Sequence, residues 1–213
     1  MKNMKACEWP DVFNFWFPPD LDQADFEKHR ETMQWWMRGG AARSLKPFTD
    51  CVEQALAGKL DQWSATAAGR LSLIIVLDQF TRSLFPESAA AYAGDAQALK
   101  LAEEGLDNGD FDMLEWPWER LFFLIPLAHT ESADHLQRFD RLIEISTRLM
   151  EKVPNDLLPL YQFGHEQAVL QRQVIERFGR FPHRNQSLNR RSTPSERIYL
   201  ETETPVHMRS TDG

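Results

Sequence analysis

Cysteine is scarce in this sequence, since Cys7 and Cys51 are the only two among 213 residues. Two cysteines do not make the disulfide framework on which small secreted domains depend. We therefore expect both to be free thiols in a reducing environment, and we predict a cytoplasmic protein. This expectation excludes the disulfide-rich secreted class.

Long hydrophobic runs are also missing. The longest, residues 71–77 and 121–128, fall well short of the roughly 20 residues that span a bilayer. No apolar segment follows the lysines near the N-terminus, so we expect no secretory signal. With 24 Lys and Arg against 32 Asp and Glu the net charge is −8, so we expect no nucleic-acid partner and no membrane partner.

The familiar local motifs of catalytic centres are absent: the sequence has no GxSxG, P-loop, GxGxxG or HExxH. Asp78, His129, Glu131, His165 and His183 have side chains that suit divalent metals, but they share no recognisable ligand spacing. We therefore predict no metal site and no cofactor. Whether the protein is an enzyme stays open at this point.

Helix-forming residues dominate what is present. The chain has 24 Leu and 19 Ala against 7 Val and 7 Ile, and no run alternates with period two. We predict an all-α single domain over residues 1–202, followed by a flexible polar tail over residues 203–213. The predicted helices cover residues 21–37, 48–57, 65–84, 89–106, 117–129, 132–152, 156–178 and 194–202.

Local sequence also indicates one helix start and one irregularity. Thr193, Pro194 and Glu196 form a capping-box signature, which predicts the start of the last helix. Pro126 lacks the amide hydrogen that an interior helical residue donates, so we expect a kink or a break in helix 117–129.

The predicted helix 65–84 is apolar nearly all the way round and yet carries charges. Asp78 and Arg82 lie one turn apart, so at least one of them faces other helices rather than water. An unpaired buried charge costs on the order of several kcal/mol. Either Asp78 and Arg82 form a structural ion pair, with each other or with a neighbouring helix, or they line a polar cleft.

A second polar group follows Pro126. His129 and Glu131 lie where a helix ends and backbone groups lack partners, which favours a binding site. In the structural alternative, Glu131 only begins the next helix, Ser132 caps it, and His129 is a hydrogen-bonded core histidine.

Arginine is concentrated near the C-terminus. Residues 172–191 contain six arginines and a single acid, Glu176, in a chain that is acidic overall. Guanidinium groups match carboxylates and phosphates bidentately. The segment therefore predicts either an anion pocket or an intramolecular clamp onto acids such as Asp78, Asp95 or Glu131.

Several segments together resemble one bacterial family. They are residues 11–17 (DVFNFWF), 58–63 (GKLDQW), 77–82 (LDQFTR), 122–123 (FF), 126–131 (PLAHTE), His165 and 178–185 (FGRFPHRN), with Arg190, Ser192, Thr193, Pro194 and Glu196. Through them the chain is similar to the DUF924 family, whose function is unknown, over nearly all of its length apart from the tail. It departs from the family pattern at Thr81, Ser83 and Thr130.

The resemblance implies a fold and a set of site positions, but no activity. The family is similar to tetratricopeptide-like proteins, which implies a right-handed array of antiparallel helix pairs. Such arrays commonly bind ligands on a concave surface. The polar positions that coincide with the family motifs are Asp78, Arg82, His129, Glu131, His165, Arg180, His183, Arg184 and Asn185. We expect these residues to line one cleft.

Our leading functional hypothesis is the binding of a small anionic ligand or an acidic peptide. Arg82, Arg180 and Arg184 would hold the anion, with His129 and His183 as neighbours. The arginine-rich segment in an acidic chain is the observation behind this hypothesis.

Two alternatives belong to other functional classes. The first is a small-molecule hydrolase or lyase, in which His129 or His183 is the general base and Asp78 or Glu131 orients it. The second is a protein-interaction scaffold without a small-molecule site, which requires an exposed apolar groove and internal pairing of the arginines. The sequence does not define the oligomeric state.

Overall fold

The computed structural model describes residues 7–37 and 40–203, and every regular element in these ranges is helical. The helices are α1 (Trp9–Trp16), α2 (Phe26–Met37), α3 (Thr49–Leu56), α4 (Ala67–Ile75), α5 (Thr81–Leu84), α6 (Asp95–Asp107), α7 (Asp110–Met113), α8 (Pro117–His129), α9 (His135–Met150), α10 (Leu158–Phe178) and α11 (Pro194–Thr202). Short 3-10 turns occupy Leu21–Gln23, Lys46–Phe48, Asp61–Ala65, Ala89–Tyr92 and Pro182–Arg184. The all-α prediction is confirmed for the described ranges.

Most predicted helices lie close to their predicted bounds, and α8 and α11 match them at both ends. α1 lies outside every predicted helix. Its proline, Pro10, lies in the first turn, where the missing amide hydrogen has no intrahelical partner to lose.

The chain forms two compact units. The first unit contains the described residues up to Pro86 together with Ala90–Pro126, and the second contains Glu87–Ala89 and the described residues from Leu127 onward. The division falls inside α8, which continues through Pro126 instead of breaking there. The single domain over residues 1–202 stays a prediction.

The predicted tail falls only partly within the described residues. Its first residue, Glu203, accepts a hydrogen bond of 2.8 Å from Arg177. Residues 204–213 lie outside the described ranges.

Aromatic rings form much of the core of the first unit. Trp16 of α1 packs against Trp36, Phe80 and Phe122, with ring centroids 5.4 to 6.3 Å apart. All four side chains are buried. Because such large rings bury much apolar area, this cluster anchors α1 and the segment that carries Phe80.

The predicted helix 65–84 is helical from residue 67 onward but is not uniform. α4 ends at Ile75, the next five residues, Val76–Phe80, form a π-helical turn, and α5 follows. Gly94 approaches this turn so closely that a Cβ atom there would lie 2.3 Å from the Leu77 carbonyl oxygen. π-helical turns are rare and often occur at functional sites. This one contains the fully buried Asp78.

The second unit is built on α9 and α10. Arg172 of α10 donates to Asp140 of α9 at 2.6 Å, and Ser146 of α9 bonds His165 of α10 at 2.8 Å. Since residue numbers rise along one helix as they fall along the other, the two helices are antiparallel. α10 ends at Phe178, and its C-cap residue, Gly179, has the left-handed backbone conformation (φ 69°) that glycine adopts without strain.

The two cysteines are bonded to each other. Cys7 and Cys51 form a disulfide between the segment before α1 and helix α3, so the prediction of free thiols is wrong. The fold brings their Cα atoms to 5.6 Å although 44 residues separate them, and spacing along the chain does not reveal such proximity. Disulfides are typical of oxidising surroundings, and the cytoplasmic location stays a prediction. No helix in the described ranges is long and apolar enough to cross a membrane.

Candidate functional site

In the first unit, Arg82 lies between two carboxylates. Its Nη1 atom is 3.0 Å from Asp78 Oδ1 and 2.9 Å from Asp95 Oδ1, and its Nη2 atom donates to Asp95 Oδ2 at 3.0 Å. Asp78 comes from the π-helical turn and Asp95 from the start of α6. The ion pair predicted between Asp78 and Arg82 is therefore confirmed, with Asp95 as a third member.

Burial and pairing act on Arg82 in opposite directions. Burial lowers the pKa of the guanidinium, but the charges of Asp78 and Asp95 outweigh it, and the net pKa is raised. The guanidinium carbon also lies 5.5 Å from the ring centroid of Tyr92, and Gln79 donates to the Asp78 carboxylate. The cluster is thus held from several sides and its cation stays charged.

In the second unit, three side chains cover the C-terminal end of α8. The last carbonyls of a helix have no intrahelical partners, and the helix dipole favours cations beside them. His135 donates to the carbonyl of residue 128 at 2.8 Å, and Arg184 donates to the carbonyl of residue 129 at 2.7 Å. Arg138 donates to the carbonyl of residue 130. Arg184, a predicted ligand-binding residue, therefore uses part of its guanidinium to cap a helix.

His135 is held as a neutral imidazole. Its ring stacks on Phe139 at 4.9 Å, and its buried Nδ1 atom has no hydrogen-bond partner among the described residues. Burial lowers the pKa of His135 most strongly, the bond to the carbonyl of residue 128 opposes this, and Arg138 and Arg184 lower it further, to about 4.

Glu131 joins the end of α8 to the loop that follows α10. Its carboxylate accepts hydrogen bonds from the Phe181 amide (2.6 Å) and from the Arg190 guanidinium, which also donates to the Phe181 carbonyl at 3.1 Å. Burial raises the pKa of Glu131, but the bonds from Arg190 and Phe181 outweigh it and the net pKa is lowered. Glu131 does not begin the next helix, because α9 begins at His135 with Asp134 at its N-cap. The predicted clamp onto Glu131 is confirmed, with Arg190 as its cation.

A second ion pair joins the same loop to α11. Arg180 binds Glu196 bidentately, with Nε to Oε1 at 2.6 Å and Nη2 to Oε2 at 2.8 Å. Glu196 also accepts from the Thr193 amide (2.7 Å), which completes the predicted capping box, and from Asn185 (3.3 Å). The bond from Arg180 contributes most to lowering the pKa of Glu196, which falls to about 2. Glu196 is therefore ionised near neutral pH.

A pocket of about 380 Å³ opens beside this ion pair. It is lined by Arg177, Phe178, Arg180, Thr193, Ser195 and Glu196, and we call it the arginine pocket. Arg177 donates to Glu203, and its guanidinium lies over the Phe178 ring at 4.6 Å. Within residues 7–37 and 40–203, no acceptor bonds the Nη1 atom of Arg180.

Two guanidinium groups, those of Arg177 and Arg180, line the arginine pocket. Each is paired with one carboxylate, Arg177 with Glu203 and Arg180 with Glu196. Guanidinium groups have several N–H donors, so one that is paired with a carboxylate can still donate to a further anion.

The sequence matches the model of DUF924, a family described as bacterial protein of unknown function, over residues 12–204. The chain belongs to the DUF924 family. A solved structure of a protein of unknown function from Agrobacterium tumefaciens is similar to it, with a TM-score of 0.66 and 29% sequence identity. The match covers 92% of this chain and 97% of that one. No curated protein matches the chain.

The predicted site residues of this DUF924 protein are divided between the two units. Asp78 and Arg82 belong to the first unit and the other seven to the second. Within the second unit, Glu131 and Arg184 bring segments 127–131 and 178–185 together. His165 bonds Ser146 instead. Whether the nine residues bind a ligand stays a prediction.

The remaining predicted residues of the loop have distinct surroundings. Asn185 is buried and donates to Ser192 and Glu196, whereas the ring of half-buried His183 packs against Phe181 at 5.4 Å. In the described part of the chain, no three His, Cys, Asp or Glu side chains are close enough to hold a metal ion.

Four side chains that organise the second unit are missing from the predicted site residues: His135, Arg138, Arg190 and Glu196. The capping-box signature located Glu196 but not its bond to Arg180. Arg138 gave one weak signal, because a cation in the first turn of a helix opposes its dipole. His135, a neutral imidazole, gave none. His135 bonds the nearby end of α8, and Arg138 bonds that end together with Ser132 and Asp134.

Proposed function

We propose that this DUF924 protein binds a small anionic ligand in the arginine pocket of its second unit. The ligand carries a carboxylate or phosphate group, as a small metabolite or as the acidic end of a peptide. One observation carries the proposal: an open pocket of about 380 Å³ is lined by two guanidinium groups, those of Arg177 and Arg180.

The groups around the pocket suit an anion with an organic body. Arg180 is held in place by Glu196 and keeps its Nη1 hydrogens for a ligand, and such pre-organisation lowers the entropic cost of binding. The hydroxyls of Thr193 and Ser195 add polar contacts, and the ring of Phe178 offers an apolar wall. Charge-assisted bonds from guanidinium groups are among the strongest available to a phosphate or carboxylate.

The arginines proposed to hold the anion differ from those of the sequence-based hypothesis, which named Arg82, Arg180 and Arg184. Arg82 pairs with Asp78 and Asp95 in the first unit, and Arg184 caps α8. Arg180 and Arg177 are therefore proposed instead. A cleft lined by all three motif segments stays a prediction.

We also propose the tetratricopeptide-like, right-handed arrangement of helix pairs, which the antiparallel pairing of α9 and α10 supports.

A thermal-shift panel tests the proposal. The whole protein is heated with inorganic phosphate, pyrophosphate, succinate, citrate or a short Asp/Glu peptide at constant ionic strength. A ligand at one hundred times its Kd stabilises the folded protein by about 2.7 kcal/mol, which raises Tm by roughly 5–10 °C at this chain length. We expect at least one of these anions to raise Tm, and Arg177→Ala to abolish the rise.

Arg172→Ala is the matched control. Arg172 lies on the same helix as Arg177 and also pairs with acids, Asp140 and Glu176, but it does not line the pocket. The variant should respond to anions as the wild type does. Unchanged Tm values in the wild type with every anion would overturn the proposal.

The pairing of the arginines favours a second candidate, the interaction scaffold. Arg172, Arg180 and Arg190 all bind acids of their own unit. Large exposed apolar side chains exist, namely Met37, Met113, Ile198 and Leu200. A panel in which no anion binds would favour this candidate. The hydrolase or lyase alternative stays a prediction.

A further inference from the structure

The arginine pocket contains two hydroxyl groups as well as two guanidiniums, and the hydroxyls are not equivalent. Thr193 is the N-cap of α11, and its hydroxyl accepts the Glu196 amide hydrogen at 3.3 Å. Ser195 is exposed, and within the described residues its hydroxyl contacts only that of Thr193, at 3.1 Å. Ser195 is therefore the hydroxyl that can be modified without losing the helix cap.

We propose that Ser195 is a phosphorylation site and that its phosphate occupies the arginine pocket as an internal anion. A serine/threonine kinase supplies the reaction with ATP as the phosphoryl donor. The Ser195 oxygen forms a bond to the γ-phosphorus, the bond from that phosphorus to the β-phosphate oxygen breaks, and ADP leaves. The hydroxyl proton passes to the general base of the kinase.

Charge supports this assignment. A phosphoserine carries about −1.5 to −2 charges at neutral pH and three strong acceptor oxygens, which guanidinium groups bind well. Arg177 and Arg180 line the same pocket as Ser195, so the attached phosphate meets guanidinium donors within its own unit. The fixed carboxylate of Glu196 is already bound by Arg180 and by the Thr193 amide.

The position of Ser195 also suits modification. The preceding residues 190–193 have no regular secondary structure, and Arg191, Thr193 and Pro194 are exposed. A kinase can therefore reach the serine from the loop side of α11. A further consequence rests on the proposed function: the attached phosphate blocks the external anion, so phosphorylation turns anion binding off.

The first test installs phosphoserine at position 195 of the whole chain by genetic encoding. We expect phosphoserine 195 to raise Tm by roughly 2–4 °C in the wild-type background. In Arg177→Ala, and in Arg180→Gln as a second background, Tm should stay unchanged. Phosphoserine at position 202, at the other end of α11, is the matched control and should not raise Tm. An unchanged or lower Tm with phosphoserine 195, or an equal rise in Arg177→Ala, overturns the proposal.

The second test treats the whole protein with ATP and the catalytic domain of a kinase that prefers serines after arginine, and maps the phosphate by mass spectrometry. Phosphate on Ser195 supports the proposal. An unmodified Ser195 overturns it, whether or not Ser192 or Thr193 carries phosphate. Pyrophosphate binding separates the two claims. If pyrophosphate fails to bind the unmodified protein while phosphoserine 195 still raises Tm, the proposed function fails and this inference stands.

Discussion

Glu196 shows how one side chain organises several parts of the second unit. It completes the cap of α11, holds Arg180 bidentately and accepts from Asn185. These contacts fix the guanidinium of Arg180, which lines the arginine pocket.

Because the pKa of Glu196 is lowered, we expect its contribution to the free energy of unfolding to depend on pH. The folded value of about 2 lies below the ordinary 4.5, so the stabilisation is complete above pH 4.5 and is lost as the pH falls towards 2. Glu196→Gln should lower the free energy of unfolding by about 2 kcal/mol at pH 7, and the difference from wild type should shrink by pH 3. Urea unfolding followed by circular dichroism measures both. A difference that does not change with pH would contradict the ion pair.

We also expect His135 to make the free energy of unfolding depend on pH, over a higher pH range than Glu196. Its folded pKa of about 4 lies below the ordinary 6.5, so the unfolded chain binds the proton first as the pH falls. The protein should lose roughly 2–3 kcal/mol between pH 6.5 and pH 4 through this group. His135→Gln, which keeps a donor for the carbonyl of residue 128, should flatten the urea midpoint over that range. A variant as steep as wild type would show that another group is responsible.

Contacts between residues that are close in sequence were predictable, and contacts between distant residues were not. Asp78 and Arg82 are four residues apart on one helix, so their pairing follows from helical geometry. Glu131 and Arg190 are 59 residues apart, and the chain offers many acids and arginines. Which pair forms is decided by the packing of the loop, and no spacing reveals it.

At the scale of elements, helix type and position were largely predictable. The capping box fixed the start of α11, and both ends of α8 were predicted correctly. The π-helical turn at Val76–Phe80 was not predicted, because a π turn and an α-helix share the same apolar residue types. α1 was missed because proline both interrupts and begins helices.

The disulfide between Cys7 and Cys51 predicts a redox effect on the first unit. A cross-link that closes a loop of this length stabilises a protein by about 4 kcal/mol in the chain-entropy model. Dithiothreitol should therefore shift the guanidinium midpoint of the wild type downwards, and Cys51→Ser should unfold at that lower midpoint with or without reductant. If reductant leaves the wild-type midpoint unchanged, the disulfide adds no stability.

For the molecule as a whole, charge is distributed unevenly. The net charge of −8 coexists with a pocket in the second unit that two guanidinium groups line. The sequence revealed this uneven distribution as a run of arginines, but it did not show which arginines face a cavity and which cap a helix. Arg177, which is not among the predicted ligand-binding residues, lines the pocket, whereas Arg184 caps α8.

Isothermal titration of the whole protein with pyrophosphate tests the anion site most directly. The wild type and Arg172→Ala should bind one pyrophosphate with equal affinity, and Arg177→Ala should bind it at least about tenfold more weakly, because a charge-assisted hydrogen bond contributes about 1.5–3 kcal/mol. Absence of binding to the wild type, or equal affinity in Arg177→Ala, would contradict an anion site in the arginine pocket.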